Sequence, residues 1–230
     1  MTDDGTAPAT EQPEEPRSEP GAPEEARKRG SLRGLPGLVV SAFVIALLLK
    51  AFLFQAFFIP SMSMEPTLVG PGDRILVDKI PYYFHDPRRG DIIVFSNPNA
   101  PPVDRGVVGG FVHWLGQGLG ITSHADASCG DKNPDEDFVK RVIGLPGDTV
   151  EGRAGAVYVN NQRLSEPYLP QGLKTDPFPA QTVPTGKLFV MGDNRSDSCD
   201  SRLALGLVPI DNVIGQVAVI IWPPSRIGTP

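Results

Sequence analysis

One long apolar segment near the amino terminus constrains the fold of this chain more than any other feature. It runs from Leu35 to Ile59, and its only strongly polar residues are Lys50 and Gln55. A helix needs about 20 apolar residues to cross the hydrocarbon core of a membrane, so residues 35–59 are predicted to form a transmembrane helix. A cleaved signal peptide is the alternative. Its apolar core would be shorter, about 7–15 residues, and small residues would follow it, whereas this segment ends in bulky Phe57-Phe58-Ile59-Pro60.

The residues before this segment predict its orientation. Four of them are basic: Arg27, Lys28, Arg29 and Arg33. Because such residues stay on the cytoplasmic side, the amino terminus is predicted to be cytoplasmic and residues 60–230 extracytoplasmic. The predicted localisation is therefore the cell membrane, crossed once. Residues 1–34 contain many Pro and Glu and no aromatic residue, which predicts a disordered cytoplasmic tail with a basic end next to the membrane.

The composition argues against several classes of function. The formal net charge is −6, and no basic stripe offsets it, so nucleic-acid binding is not predicted. The two cysteines, Cys129 and Cys199, have no metal-type spacing with the three histidines. Neither a metal nor another cofactor is predicted.

Short runs of β-branched and aromatic residues follow the apolar segment, and turns rich in Pro, Gly and Asn separate them. Residues 157–164 predict a hairpin with a tight turn at Asn160-Asn161. Because no helices alternate with these runs, residues 60–230 are predicted to be a mainly β domain built on an antiparallel sheet. The predicted strands are residues 74–78, 91–95, 138–143, 156–159, 187–191 and 216–222.

Two segments interrupt this pattern. Residues 97–137 form a long insertion rich in Gly, Pro and Asp, and loops of that length are usually functional or disordered. Its apolar part, residues 107–115, either touches the membrane interface or folds onto its own domain. Residues 165–185 are rich in Pro and predict an irregular connection.

A serine-rich turn, Pro60-Ser61-Met62-Ser63-Met64, begins where the apolar segment ends. It places Ser63 at the predicted membrane surface, but a serine hydroxyl needs a base to become a good nucleophile. The three histidines have no obvious acidic residue placed to orient them. One sequence does not exclude a Ser-His-Asp triad, but no residue pattern indicates one. The other known arrangement is a Ser-Lys pair.

Lys140 is the candidate base. Strand alternation puts Phe138, Lys140 and Val142 on one face of a strand and aims Val139 and Arg141 at the other. Burial among apolar side chains disfavours the ammonium form, so it lowers a lysine pKa below its ordinary value of about 10.4. A neutral Lys140 could then accept the Ser63 proton. The alternative is a lysine whose stem lies over the strand edge with its ammonium in water.

A third segment, residues 192–202, is dense in polar groups and follows the apolar strand 188–190. Such a run is often only a solvated turn. Because its start is attached to the core, Asp200 and Arg202 could instead form a buried ion pair that holds the turn rigid. A hydroxyl nearby could then orient the lysine.

Four segments, in this order, resemble the bacterial type I signal peptidases, which are Ser-Lys membrane proteases that remove signal peptides from exported preproteins. They are PSMSMEPTL (60–68), RGDIIVF (89–95), FVKRVIGLPGD (138–148) and GDNRSDSCDSR (192–202). The resemblance leaves out the acidic tail and the 97–137 insertion. It implies a mostly antiparallel β catalytic core with a small cap, which here corresponds to residues 149–186.

The resemblance also implies roles for single residues. Ser63 matches the nucleophile and Lys140 the general base. Ser61 matches the residue that helps to line the oxyanion hole together with the Ser63 backbone N–H. The other matches support the site or bind substrate: Ser198 orients the lysine, Asp200 and Arg202 form a structural ion pair, and Ile59, Leu68 and Val139 line shallow pockets for small residues.

Two departures from the family pattern concern the site itself. Many members have Gly where this chain has Met62, whose side chain must then point away from the substrate. Cys199 stands between Ser198 and Asp200, and in an oxidising exterior it could pair with Cys129 and tie the insertion to the site.

The predicted function is therefore that of a membrane-bound serine endopeptidase that cleaves signal peptides from secretory preproteins through an acyl-enzyme. Its predicted partners are preproteins with small residues at positions −1 and −3, and membrane lipids. One alternative is a noncatalytic membrane-anchored extracytoplasmic β binding module. A cytoplasmic self-cleaving repressor shares the Ser-Lys chemistry, but it would carry a DNA-binding helical domain in place of the apolar segment.

Overall fold

A computed structural model of the protein describes residues 35–101 and 136–230. The predicted tail at 1–34 and most of the predicted 97–137 insertion, including Cys129 and the apolar residues 107–115, lie outside the described residues. The chain divides into two compact units, residues 1–41 and residues 42–230. All the described strands belong to the second unit.

The described part of the chain contains one α-helix and eleven strands, with short 3-10 turns at Pro81–Tyr83, Ile210–Asn212 and Pro224–Arg226. The elements are α1 (Leu35–Leu53), β1 (Phe54–Phe58), β2 (Arg74–Asp78), β3 (Ile92–Ser96), β4 (Asp137–Gly144), β5 (Thr149–Arg153), β6 (Ala156–Val159), β7 (Gln162–Arg163), β8 (Phe178–Thr182), β9 (Lys187–Met191), β10 (Val208–Pro209) and β11 (Val213–Trp222).

The predicted helix over residues 35–59 is too long, because α1 ends at Leu53 and β1 follows at once. Every residue of β1 pairs with β2 in antiparallel register, from Phe54 opposite Asp78 to Phe58 opposite Arg74. Burial alternates along β1, since Gln55 and Phe57 are buried and their neighbours are not, which is the period of a strand. Among the residues that the structure describes, no helix has both the length and the apolar character needed to span a membrane.

Seven strands form the main sheet, in the order β1-β2-β11-β3-β4-β9-β10, and all their pairings are antiparallel. β4 lies between β3 and β9, and all eight of its residues are buried. Apolar clusters cover both of its faces, because Val139 packs in one cluster and Phe138 and Val142 in another. A residue in the middle of β4 is therefore fixed by neighbours on every side.

The other four strands form a smaller antiparallel sheet, in the order β7-β6-β5-β8. It lies within residues 149–186, which the resemblance assigns to the cap. The predicted hairpin is present as β6 and β7, and both turn residues have positive φ, 50° at Asn160 and 65° at Asn161. Asn tolerates this left-handed conformation better than most residues do. β8 lies inside the segment 165–185 that was predicted to be irregular, so that prediction is wrong there.

The architecture thus confirms a mainly antiparallel β fold preceded by a single helix. This arrangement matters for function because it places three segments close together. The second unit brings the turn after β1, the buried strand β4 and the polar segment after β9 into one neighbourhood.

Candidate active site

Ser63 lies in the turn that follows β1. The Glu65 N–H donates to the Met62 carbonyl at 3.1 Å, and the Leu68 N–H donates to the Met64 carbonyl at 3.0 Å. Met64 and Leu68 are almost fully buried, with 1% and 0% of their surface exposed. Because these two apolar side chains anchor the turn in the core, the Ser63 side chain is held half-buried beside it.

Lys140 contacts Ser63 directly from β4. Its Nζ donates to Ser63 Oγ at 2.7 Å and to the Val139 carbonyl at 3.0 Å. Only 3% of Lys140 is exposed, and its Nζ lies 5.9 Å from the centre of the Phe138 ring. Its pairing with Ile93 of β3 fixes the lysine backbone in the sheet. The amine is therefore placed for direct proton transfer with the serine hydroxyl.

Ser61 completes a group of three polar side chains. Its Oγ lies 3.3 Å from Ser63 Oγ. A hydroxyl at this position can donate to an oxygen that is bound beside Ser63 Oγ. The structure thus brings together Ser61, Ser63 and Lys140.

These residues line a cleft of about 710 Å³. The start of β4 forms one wall, and the segments before β8 and after β9 form others. The lining comprises residues 61–63, 137–140, 176–179, 195–199, 202 and 203. Met62 also lines the cleft and is 49% exposed.

Ser198 lines the same cleft, but its predicted hydrogen bond to Lys140 is not formed. Its Oγ is buried and has no hydrogen-bond partner in the parts of the chain that the structure describes. Lys140 Nζ instead donates to Ser63 Oγ and the Val139 carbonyl. Ser198 is thus near the site without orienting the lysine in this structure.

Asp200 and Arg202 form the ion pair that the resemblance implies. Two guanidinium nitrogens of Arg202 donate to the Asp200 carboxylate at 2.8 and 2.7 Å. Asp200 is fully buried, and it also accepts the Gly192 N–H at 3.0 Å. The pair therefore connects the end of the polar segment to its beginning.

The three predicted pocket residues separate in the structure. Val139 lines the cleft. Ile59 and Leu68 are 2% and 0% exposed and pack with Val139 in one apolar cluster of the core. They support the wall of the cleft from behind and do not line it.

A second ion pair, which the sequence did not indicate, joins three segments of the site. Arg141 donates to the Asp193 carboxylate at 2.9 and 2.7 Å and to the Gly90 carbonyl at 2.8 Å. The same carboxylate accepts the Thr67 hydroxyl. Asp193 thereby links β4 to the turn that carries Ser63. The only sequence signal was the alternation that aimed Arg141 away from Lys140.

A third buried group connects residues 166–175 to the site. Arg195 donates to the carboxylate of Glu166, to the Thr175 hydroxyl at 3.0 Å and to the Gly192 carbonyl at 3.1 Å. Burial lowers the pKa of Arg195, but the hydrogen bonds and charge of Glu166 outweigh it, so its pKa is raised and it stays charged. Burial, and then the Glu166 charge, raises the pKa of Tyr168, whose hydroxyl donates to Glu166 at 2.8 Å.

Cys199, which lines the cleft, is disulfide-bonded. Its predicted partner, Cys129, lies outside the described residues. Across residues 35–101 and 136–230, no group of three or more His, Cys, Asp or Glu side chains could hold a metal ion.

Comparison with known proteins identifies the family. Residues 32–222 match the family model described as signal peptidase, peptidase S26. The chain belongs to this signal peptidase family. A signal peptidase I of Mycobacterium tuberculosis H37Rv is 40% identical over 230 residues, covering 87% of this chain and 76% of the relative. A signal peptidase I of Leptolyngbya laminosa is 36% identical over 218 residues, covering 94% and 92%. Membership of the signal peptidase family makes the chain a peptidase, and thus a hydrolase, as the sequence predicted.

A solved structure was also found among the signal peptidases. The signal peptidase I in a crystal structure from Enterococcus faecalis is 30% identical in sequence to this chain, and the two structures superpose with a TM-score of 0.39. The match covers 58% of this chain and 98% of the Enterococcus chain.

Gly192 gives a direct test of how tightly this signal peptidase site is packed. A Cβ at this position would meet Ser198 Oγ and Cβ and the Ser63 carbonyl, all well inside van der Waals contact. Gly192→Ala is therefore expected to displace the Ser63 turn and to lower peptidase activity by about 100-fold, because misplacing a reacting group by about 1 Å has an effect of that size. Gly228→Ala is the matched control, since no atom lies within 4 Å of its Cβ position. Equal activity of both variants would contradict the close packing.

Proposed function

We propose that the protein is a membrane-attached serine endopeptidase that removes amino-terminal signal peptides from exported preproteins through a Ser63–Lys140 dyad. The observation that carries the proposal is the 2.7 Å hydrogen bond between Lys140 Nζ and Ser63 Oγ, made by a lysine that is 3% exposed. The names of the relatives supply the substrate class, because they are signal peptidases.

In the first half of the reaction, neutral Lys140 accepts the proton of Ser63 as Ser63 Oγ attacks the carbonyl carbon before the scissile bond. The oxygen of that carbonyl becomes an oxyanion, to which the Ser61 hydroxyl and the Ser63 backbone N–H donate. Protonated Lys140 then gives its proton to the leaving amine. This step releases the mature protein and leaves the signal peptide as an ester on Ser63.

In the second half, Lys140 acts as base again. It takes a proton from water, and the hydroxide attacks the ester carbonyl beside the same oxyanion donors. Returning the proton to Ser63 Oγ restores the starting state. One lysine thus performs every proton transfer, which requires that it stay within reach of Ser63 throughout.

The start of β4 supports binding of the substrate as an extended strand. Residues 137–140, at the start of this strand, line the cleft that contains Ser63. An extended peptide bound along this wall would present its cleavage site to Ser63. Val139 in the cleft wall would favour small side chains near that bond.

Membrane attachment is proposed through α1. Its sequence is apolar apart from Lys50 and small residues, and the described side chains of residues 36–46 are exposed. The large apolar ones, Leu38, Val39, Val40, Phe43, Val44 and Ile45, are 46–68% exposed. An apolar surface of this kind on a helix is stabilised by lipid. The basic residues before α1 give a cytoplasmic amino terminus.

The direct test is cleavage of a radiolabelled preprotein by the full chain in detergent or lipid, beside a Ser63→Ala variant. The wild-type chain is expected to release the mature protein. Ser63→Ala removes the nucleophile and is expected to lose at least about 10³-fold of the rate. Ser41→Ala is the control, because among the described residues the hydroxyl of this serine donates to the Leu38 carbonyl within α1, away from the cleft. Undiminished cleavage by Ser63→Ala would reject the proposed dyad.

A further inference from the structure

Asn194 donates hydrogen bonds to two successive carbonyls of the turn that contains Ser63. Its side-chain Nδ2 donates to the Met62 carbonyl at 3.2 Å, and its backbone N–H donates to the Ser63 carbonyl at 3.1 Å. These carbonyls belong to the peptide groups on either side of Ser63. One residue of the polar segment after β9 therefore holds both of them.

The first of these contacts matters for the oxyanion. The Met62 carbonyl and the Ser63 N–H are the two ends of one planar peptide group, and this bond is not among the cis peptides of the chain. In a trans peptide the C=O and N–H point in opposite directions, so fixing the carbonyl also fixes the direction of the N–H. The Ser63 N–H is the backbone donor of the proposed oxyanion hole.

Hydrogen bonding at the carbonyl also changes the strength of the N–H. A donor at the oxygen polarises the peptide group and makes its N–H a better donor. The Met62 carbonyl accepts the Glu65 N–H of its own turn as well, at 3.1 Å. Asn194 adds a second donor from a different segment, and so couples the oxyanion donor to the strand that carries the polar segment.

The Asn194 side chain is itself oriented. Its Oδ1 accepts the Ser196 hydroxyl at 3.1 Å, which distinguishes the oxygen of the amide from its nitrogen and points Nδ2 at Met62. Asp193 on one side is held by Arg141, and Arg195 on the other side by Glu166. Two ion pairs therefore fix the backbone from which Asn194 reaches the turn.

We infer that Asn194 is a positioning residue of the oxyanion hole, which sets and polarises the Met62–Ser63 peptide so that the Ser63 N–H meets the developing oxyanion. This inference rests on the proposed Ser63–Lys140 peptidase function. It assigns Asn194 no contact with substrate, because its effect passes through a peptide group of the turn.

The test is steady-state cleavage of a peptide substrate by the full chain in detergent, with kcat and KM measured separately. Asn194→Ala keeps the backbone bond to Ser63 and loses the one to Met62. It is expected to lower kcat by about 10–100-fold, since a misplaced catalytic group costs this much, and to leave KM within about twofold because the donor acts only in the transition state.

A peptide aldehyde with the same cleavage-site sequence supplies a second readout. It adds Ser63 Oγ to its carbonyl and forms a hemiacetal oxyanion in the hole, so its Ki is expected to rise by the same factor as kcat falls. Asn194→Asp, which keeps the shape and replaces the donor with an acceptor, is expected to show the same pattern. It keeps the test decisive if the alanine variant folds poorly.

Asn212→Ala is the matched control. Its amide also donates to a backbone carbonyl at 3.2 Å, that of Ser96, but neither residue lines the cleft. It is expected to retain the wild-type kcat and Ki. If the Asn194 variants kept kcat within twofold of wild type, or lost activity through KM with an unchanged aldehyde Ki, the positioning role would be wrong. Loss of all cleavage in the wild-type chain would instead reject the proposed function.

Discussion

Replacing Lys140 with methionine is expected to abolish preprotein cleavage, with a loss of at least about 10³-fold, while the fold is retained. General-base transfer alone contributes about 10²–10⁴-fold, and without it Ser63 is a weak nucleophile. Lys140 is 3% exposed, and methionine fills nearly the same volume as the lysine stem. The substitution therefore creates little overpacking and no large cavity, and the stability of the fold is expected to change little. Cleavage rates and thermal unfolding of both chains in the same detergent measure the two halves of this expectation.

Two further variants separate the chemistry from the charge. Lys140→Arg keeps a cation beside Ser63 but cannot lose its proton, so it is also expected to be inactive. Lys187→Met changes a lysine of β9 in the same sheet that does not line the cleft, and it is expected to cleave normally. Wild-type activity is expected to fall towards acid pH, because protonated Lys140 cannot accept the Ser63 proton. Near-normal cleavage by Lys140→Met would show that the dyad assignment is wrong.

Local signals made Ser63 and Lys140 candidates, and the family resemblance gave the two residues their predicted roles. Ser63 follows an apolar segment in a serine-rich turn, and Lys140 interrupts an apolar strand. Their neighbours could not be predicted in the same way. The ion pairs Arg141–Asp193 and Arg195–Glu166 join residues that are 52 and 29 positions apart. A local sequence pattern does not indicate with which distant carboxylate a buried guanidinium pairs. The same is true of Asn194, whose partner is a carbonyl 132 positions away.

The strands were predictable where their residues are β-branched and buried. The predicted segments 74–78, 156–159 and 187–191 coincide with β2, β6 and β9. β8 was missed because its sequence, Phe-Pro-Ala-Gln-Thr, is poor in strand-forming residues and lies at the edge of its sheet. Edge strands tolerate Pro, so composition there predicts a loop as readily as a strand.

β1 was missed for a different reason. An uninterrupted apolar run has no period, so residues 54–58 look the same in a helix as in a strand. Only the pairing with β2, which lies 20 residues later in the chain, decides the matter. The domain boundary predicted at residue 60 therefore separates β1 from the other six strands of the main sheet, and truncation of the chain can test the contribution of β1 to stability.

A chain that begins at Phe54 is expected to fold, whereas a chain that begins at Pro60 is expected to be largely unfolded at 37 °C. The shorter chain lacks β1 and with it Phe57, which is 1% exposed, and Ile59, which is 2% exposed. Removing a buried Phe or Ile side chain costs about 2–5 kcal/mol each, and the total is comparable with the whole stability of a typical domain, about 5–15 kcal/mol. It also leaves one edge of β2 unpaired.

Circular dichroism melting of the two chains measures this difference, and sedimentation with lipid vesicles measures the loss of α1. Both truncated chains are expected to stay in the supernatant, while the full chain sediments with the vesicles. In the chain that begins at Phe54, Phe57→Ala is expected to cost about 3–5 kcal/mol. Phe58→Ala is the neighbouring control and is expected to cost much less, because this side chain is 37% exposed. Equal melting temperatures for the two truncated chains would show that β1 contributes nothing to the sheet. Vesicle binding by the chain that begins at Phe54, as strong as that of the full chain, would contradict attachment through α1.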